Sequence, residues 1–243
     1  MQLTGKSLKS ASKICDVDYT DQHVEDLHQI LMDCNFGKHE RVDRGTYMHN
    51  YHRAYGKILG PHRYKIQNVL EVGIWVGLGL LAWTRFFPNS MVEGVDKLFQ
   101  WEPKIKRLFT LDGSYKINLN WCDTTNEEAL RQWFPPLKYD RYFDVIFDDG
   151  NHFASGQMAT LINLWQYLKP GGWYFIEDIT EVHEPWRKLL EYIDSLGEQG
   201  HEIGWFHYPD DLKEHLDPNV FRGSMHASNL IAIKKNKEVK NVD

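Results

Sequence analysis

The sequence predicts an α/β fold: a mainly parallel, seven-stranded sheet with helices on both faces and a short helical extension at the amino terminus. Three observations carry this. From Asn68 onward, short apolar runs alternate with stretches of helical periodicity, the pattern of a parallel sheet covered on both sides. A glycine-bearing turn, Gly73 to Gly79, separates the first run from the first helix of this series. Acidic residues directly follow several of the runs, and the carboxyl ends of strands are where open α/β sheets do chemistry.

The totals bound the rest. A chain of 243 residues with 42% hydrophobic residues is long enough for one large domain with a sizeable core. A net charge of −6, from 34 acidic and 28 basic residues, gives no support to a nucleic-acid surface. Cys15, Cys34 and Cys122 are odd in number and widely spaced, which argues against a disulfide scaffold or zinc knuckle and for a reduced interior. The opening "MQLTGKSLKSASKICD" lacks the apolar run of a signal peptide, and no stretch has the length of a membrane span. The expectation is a soluble, cytoplasmic chain with neither nucleic acid nor membrane as partner. Nine Trp and twelve Tyr read mainly as large core fillers, with some left to line a pocket for a flat or sugar-like substrate.

Taken in order, residues 1–20 form a polar arm. Thr20 or Asp21 can cap a helix in which Val24, Leu27, Ile30 and Leu31 recur at helical spacing, ending near Asn35 and Gly37. A second helix carries Tyr51, Tyr55, Ile58 and Leu59 and closes at Gly60-Pro61. Residues 1–60 are therefore read as an arm and helical extension, 61–235 as the α/β domain and 236–243 as a tail.

The first strand opens at Asn68, and its helix ends before Pro88. Met91 to Val95 is the second strand, stopped by Asp96. Ile117 to Trp121 is the third, followed by a helix capped by Thr125 or Asn126. Phe143 to Phe147 is the fourth. The next helix is expected to carry Met158, Leu161, Ile162, Trp165 and Leu168 on one side. Lys169-Pro170-Gly171-Gly172 reads as a stop and turn before the strand "WYFIEDI". A helix in "EPWRKLLEYIDSLG" follows. "HEIGWFHYP" and "SNLIAIKK" are expected as antiparallel neighbours at a sheet edge.

The glycine turn, with Glu71, Gly73 and Gly77, is not the G-x-G-x-x-G of dinucleotide enzymes. Glycine here allows a tight turn and a close approach of backbone to ligand. Asp96, at the end of the second strand, can accept both hydroxyls of a ribose. Asp123, after the third strand, falls near where an adenine would lie. The ordered set suits a cationic adenosyl ligand without phosphates, and no Walker-type lysine stands nearby to argue for ATP. Trp101, Phe99, Trp75 and Trp121 are candidates to stack on the adenosine; each is equally open to a plain packing role.

The fourth strand runs into Asp148, Asp149, Gly150, Asn151 and His152, and the fifth ends in Glu177 and Asp178. Neighbouring parallel strands let Asp149, Glu177 and Asp178 converge, an all-oxygen set suited to Mg²⁺ or a similar hard ion. Such an ion could hold two adjacent substrate hydroxyls and acidify the reacting one. His152 is placed to take that proton. The competing reading is that both acidic pairs merely cap the helices after them. Uncompensated, the cluster would be self-repelling, and a cation removes that cost. Asp148 is the more structural member. His49, Tyr51, His52 and Tyr55 either cover the cofactor and shape the substrate site or pack an amphipathic helix on the sheet. His207, Tyr208, His226 and Asn229 are weaker candidates.

These stretches resemble a known family. "ERVDRGTYMHNYHRAYGKILG", "VLEVGIWVGLGLLAW", "VEGVDK", "WCDTTN", "VIFDDGNH", "LKPGGWYFIEDI" and "SNLIAIKK" are similar to the class I S-adenosylmethionine-dependent methyltransferases. Within them the chain resembles the metal-dependent sugar O-methyltransferases of macrolide tailoring, the mycinamicin and macrocin type. The turn departs from the family's "GxGxS"-like form, with Trp75 to Gly79 in its place, and Asp43-Arg44-Gly45 stands where "D-K-G" is common. The resemblance implies a Rossmann-like fold, S-adenosyl-L-methionine and Mg²⁺ as cofactors, and a sugar-containing hydroxyl acceptor. It implies Asp149, Glu177 and Asp178 as Mg²⁺ ligands, His152 as general base, and Glu71, Gly73, Asp96 and Asp123 at the S-adenosylmethionine site. His49, Tyr51 and Tyr55 would lie near cofactor and acceptor, and a homo-oligomer would assemble through the extension. Rival readings are methylation of a catechol-like phenol, a cephalosporin hydroxylase-like branch, and a non-catalytic S-adenosylmethionine-binding scaffold; the intact acid–histidine set argues against the last.

Overall fold

A computed structural model describes residues 21–34, 49, 51–99, 116–179, 202–207 and 229–236, with positions 103, 106, 107, 188, 189, 191, 192 and 195. The arm, the tail, Asp43-Arg44-Gly45, Trp101, Tyr208 and His226 lie outside the described residues.

Helix α1 (Gln22–Asp33) is capped by Asp21, whose carboxylate accepts the His23 N–H at 2.9 Å, and it buries Val24, Leu27 and Leu31. Helix α2 (His52–Leu59) starts at Tyr51 and buries Tyr55 and Leu59. The two helices cross closely: a Cβ on Gly56 would lie 2.6 Å from the Val24 Cα, so only glycine admits the crossing.

Five parallel strands follow: β1 (Asn68–Val72), β2 (Met91–Asp96), β3 (Ile117–Trp121), β4 (Phe143–Asp148) and β5 (Leu168–Ile176). Strands β6 (Glu202–His207) and β7 (Asn229–Lys234) complete a seven-stranded sheet of order β3-β2-β1-β4-β5-β7-β6. Strand β7 runs antiparallel to both β5 and β6, as the sequence led us to expect. Helices α3 (Leu78–Phe86), α4 (Glu127–Trp133), α5 (Pro136–Tyr139) and α6 (Ala154–Leu164) connect the strands. Among the described residues no helix is long and apolar enough to cross a membrane.

Strand alternation divides the core in two. On one face Val69, Val92, Phe147 and Phe175 pack with α1, α2 and α3. There the Trp83 and Phe147 rings stack at 4.0 Å, and Tyr55 meets Trp83, Phe147 and Phe175 edge-on. Such pairs contribute about 0.5–1.5 kcal/mol each beyond the area they bury. On the other face Leu70, Val95, Ile146 and Tyr174 pack with Leu130 of α4 and Leu161 of α6.

Two expectations are corrected. Lys169-Pro170-Gly171-Gly172 does not precede β5 but lies within it as an irregularity, since Phe143 pairs with Leu168 and Val145 with Trp173. Lys169 Nζ donates to Asp144 Oδ1 at 2.8 Å, while Gly171 and Gly172 bond to Lys235, so the kink is held from both sides. Helix α6 buries Ala154, Gly156, Gln157, Thr160, Leu161 and Leu164, and Met158 and Trp165 pack half-buried against the same core; of the expected row only Ile162 turns outward, 47% exposed, while Leu168, fully buried, begins β5. Polar partners let Gln157 and Thr160 join the buried face. Gln157 donates to the Glu177 carbonyl at 2.8 Å, and the Thr160 and Thr124 hydroxyls are bonded at 3.0 Å.

Register then sets the working edge. Val95, Val72, Asp148 and Ile176 stand in one row across β2, β1, β4 and β5. The strand order reverses between β1 and β4, the switch point at which open α/β sheets bind ligands.

Candidate active site

A cleft of about 290 Å³ opens beyond this row, lined by Gly73 and Trp75 after β1, Asp96 at the end of β2, Asp123 after β3, and Asp149 and His152 after β4. Gly73 turns the chain at φ 83, and its N–H donates to the Val95 carbonyl at 2.9 Å. The Asp149 N–H donates to the Val72 carbonyl at 2.9 Å, so the two loops are stitched to the ends of β1 and β2. Asp96 holds the turn by its carboxylate. Oδ2 accepts the N–H groups of Ile74 and Trp75 at 2.9 and 3.2 Å, and Oδ1 that of Leu98 at 2.8 Å. Trp75 is thereby kept at φ 44, rare for a bulky residue, with its side chain 52% exposed at the cleft. Asp123 accepts the Thr125 hydroxyl and N–H at 2.7 and 3.0 Å, and those bonds hold its carboxyl below the usual range.

Cys122, Thr125, Leu98 and Asn151 also line the cleft. Sequence reasoning passed over them. Each is within three residues of an acidic strand end, and that adjacency is the signal that could have found them. Two residues expected at the adenosyl site do not line the cleft. Glu71 is buried in β1, on the extension side of the sheet with Val69, because alternate strand residues face opposite ways. Gly77 sits at φ 83 as the cap of α3.

The acidic loops converge. Ligand atoms of Asp149, His152 and Asp178 lie within 4.8 Å of one another. His152 Nε2 is 3.3 Å from Asp149 Oδ1, and Nδ1 is 3.6 Å from Asp178 Oδ2. The hydrogen bond to Asp149 pushes the imidazole pKa up to about 9; burial opposes this, and the negative fields of Asp178 and Asp149 reinforce it. Glu177 is buried beside Asp178, with its N–H on the Asp148 carbonyl at 2.9 Å, but its carboxylate is outside that converging trio. Asp148 is fully buried under the turn. Tyr174 donates to it at 3.0 Å and the Gly150 N–H at 3.4 Å, while burial carries its carboxyl up to about 7.

The extension reaches this cluster. Tyr51 donates its hydroxyl to Asp178 Oδ1 at 2.9 Å, and His49 Nε2 is 3.9 Å from the same oxygen. Tyr55 instead packs in the aromatic core. None of His49, Tyr51 and Tyr55 lines the cleft. Tyr51 and His49 stand against the Asp178 carboxylate and Tyr55 in the core.

A family model described as a methyltransferase domain matches residues 70–179, the stretch that carries β1 through Asp178. That stretch is similar to a methyltransferase domain. The chain is 25% identical to mycinamicin VI 2''-O-methyltransferase of Micromonospora griseorubida over 146 residues, 57% of this chain and 34% of that protein. It is 27% identical to demethylmacrocin O-methyltransferase of Streptomyces fradiae over 145 residues, again 57% of this chain and 34% of the relative. The matched stretch thus spans about a third of these relatives' length. Among solved structures, the fold is similar to the MycE methyltransferase of mycinamycin biosynthesis in complex with Mg and SAH. The TM-score is 0.60 at 19% identity, covering 90% of this chain and 57% of that one.

Proposed function

We propose that the chain transfers the methyl group of S-adenosyl-L-methionine to a hydroxyl of a sugar or glycosylated small molecule, with Mg²⁺ required. The observation that carries this reading is the convergence of Asp149, His152 and Asp178, two of which, Asp149 and His152, line the same cleft as Gly73, Asp96 and Asp123. The relatives support it: two are O-methyltransferases of mycinamicin VI and demethylmacrocin, and a third, from Streptomyces olivaceus, is a 2'-O-methyltransferase of a rhamnosyl tetracenomycin-C.

The residues fit both groups. Asp149 and Asp178 offer oxygen donors of the kind a hard divalent cation prefers, with ligand atoms within 4.8 Å of each other. A volume of about 290 Å³ is near the lower end for a small-molecule site, and the lining offers carboxylates to hydroxyls and an indole to a flat base. When bound, the cation would supply a Lewis acid that acidifies a coordinated hydroxyl, and S-adenosylmethionine an electrophilic methyl carbon.

The chain's own residues do the rest. Asp96 fixes the Gly73–Trp75 turn and keeps about one lone pair, on Oδ1, for a ribose hydroxyl. Asp149 and Asp178 orient His152 through its two ring nitrogens. His152, with its side chain 48% exposed, is the group placed to take the acceptor's proton; the Asp149 and Asp178 charges that raise its pKa are those a cation held by the same carboxylates would offset. The cleft walls align acceptor and donor, and no covalent protein intermediate is needed.

The test is formation of S-adenosylhomocysteine from S-adenosylmethionine with a panel of glycosides and catechols, with Mg²⁺ and with EDTA. Turnover of a glycoside that EDTA abolishes is the expected result. Turnover indifferent to EDTA removes the metal role, and turnover of catechols alone removes the sugar assignment.

A further inference from the structure

Tyr51 is built into the site more tightly than packing requires. Its ring is fully buried, stacked on His49 at 5.2 Å and edge-on to Tyr55, a role phenylalanine would fill equally well. The hydroxyl is engaged twice by one residue. It donates to Asp178 Oδ1 at 2.9 Å and accepts the Asp178 main-chain N–H at 3.1 Å. Asp178 stands at φ 55, in the left-handed region that side chains other than glycine's rarely adopt. Tyr51 therefore clasps both the side chain and the main chain of a strained residue. With Oδ1 held by the phenol, Oδ2 is the oxygen turned to His152, at 3.6 Å.

We infer that Tyr51 is a positioning residue: it fixes Asp178 in the conformation that turns Oδ2 toward Asp149 and His152, so that the helical extension sets the affinity of the site for a divalent cation. This rests on the reading of Asp149 and Asp178 as cation ligands. Partners that orient a metal ligand through hydrogen bonds tune affinity without touching the metal. The connection is long-range, since Tyr51 precedes α2 while Asp178 follows β5, 127 positions away. A buried phenol suits the task because it both donates and accepts.

Calorimetric titration of the full chain with Mn²⁺ and Mg²⁺ tests this without turnover. Tyr51→Phe should weaken cation binding by about 10- to 100-fold. It should leave the affinity for S-adenosylhomocysteine at the parent value and recover methyl transfer at raised Mg²⁺. Tyr167→Phe, which alters a buried phenol on the opposite face of the sheet, should keep the parent's cation affinity. Equal Mn²⁺ affinity in Tyr51→Phe and parent overturns the inference, as does a parallel loss of S-adenosylhomocysteine binding. A parent chain with no saturable Mn²⁺ binding overturns the metal reading itself. Should Tyr51→Phe not fold, 3-fluorotyrosine at position 51 keeps the hydroxyl. Its fluorine resonance should move on Mg²⁺ addition over the calorimetric range, and a resonance that stays in place overturns the inference.

Discussion

A side chain at Gly73 would collide with the main-chain carbonyl of Asp149. The turn after β1 and the loop after β4 are in contact at that point, so one glycine joins the two halves of the cleft. Its freedom at φ 83 serves the same contact.

Gly73→Ala is accordingly expected to destabilise the fold by more than about 1 kcal/mol, because both the conformation and the space are denied to alanine. For a chain of this size that is a drop in melting temperature of at least about 2–4 °C. S-adenosylhomocysteine binding should weaken as well. Parent-like melting and binding in Gly73→Ala would show that the loops separate at no cost.

Asp96→Ala removes the acceptor for the Ile74, Trp75 and Leu98 N–H groups. Hydrogen bonds to a charged group contribute about 1.5–3 kcal/mol, so S-adenosylhomocysteine affinity should fall roughly 10- to 100-fold or more. Asp96→Asn, which retains one carbonyl acceptor, should lie between. Calorimetry ranks the three; Asp96→Ala binding as tightly as the parent contradicts the assignment.

His152→Ala should lower kcat by about 10²- to 10⁴-fold, the usual contribution of a positioned base. The imidazole is 48% exposed, so the fold and S-adenosylhomocysteine binding should persist. Stopped assays with saturating acceptor read the loss, and undiminished turnover rules out the base.

A pH effect on stability should come from Glu93. It is buried on β2 and accepts from Asn120 Nδ2 at 3.2 Å and Tyr139 OH at 3.4 Å. Burial raises its pKa, and those hydrogen bonds offset the rise only in part. The folded chain therefore keeps a proton that the unfolded chain releases near about 4.3. The stability this group adds is full below that value and is lost as pH rises through the folded pKa. Glu93→Gln should flatten this decline, measured as urea midpoints across acidic to neutral pH. A difference between parent and Glu93→Gln that does not vary with pH speaks against it.

Much of this site was legible locally. Asp149 and His152 are three residues apart after an apolar strand, and their side chains meet at 3.3 Å. Asp96 and Asp123 announce themselves as acids ending β2 and following β3, and both line the cleft. The hydrophobic pattern of α6 missed Gln157 and Thr160 as buried residues because their partners come from distant segments. It also read Lys169 to Gly172 as a stop, because the groups that hold that kink inside β5, Asp144 and Lys235, lie far along the chain.

Periodicity and strand-end chemistry, which depend on neighbours in the chain, determined the parallel sheet, its antiparallel edge and the acid–histidine loop. Tertiary structure alone decided the order β3-β2-β1-β4-β5-β7-β6, and with it which strand ends stand side by side. It decided that Glu71 faces the extension, that Gly73 yields to Asp149, and that Tyr51 closes on Asp178. These follow from packing and from hydrogen bonds between residues remote in sequence, and no local pattern encodes which distant group will fill a given space.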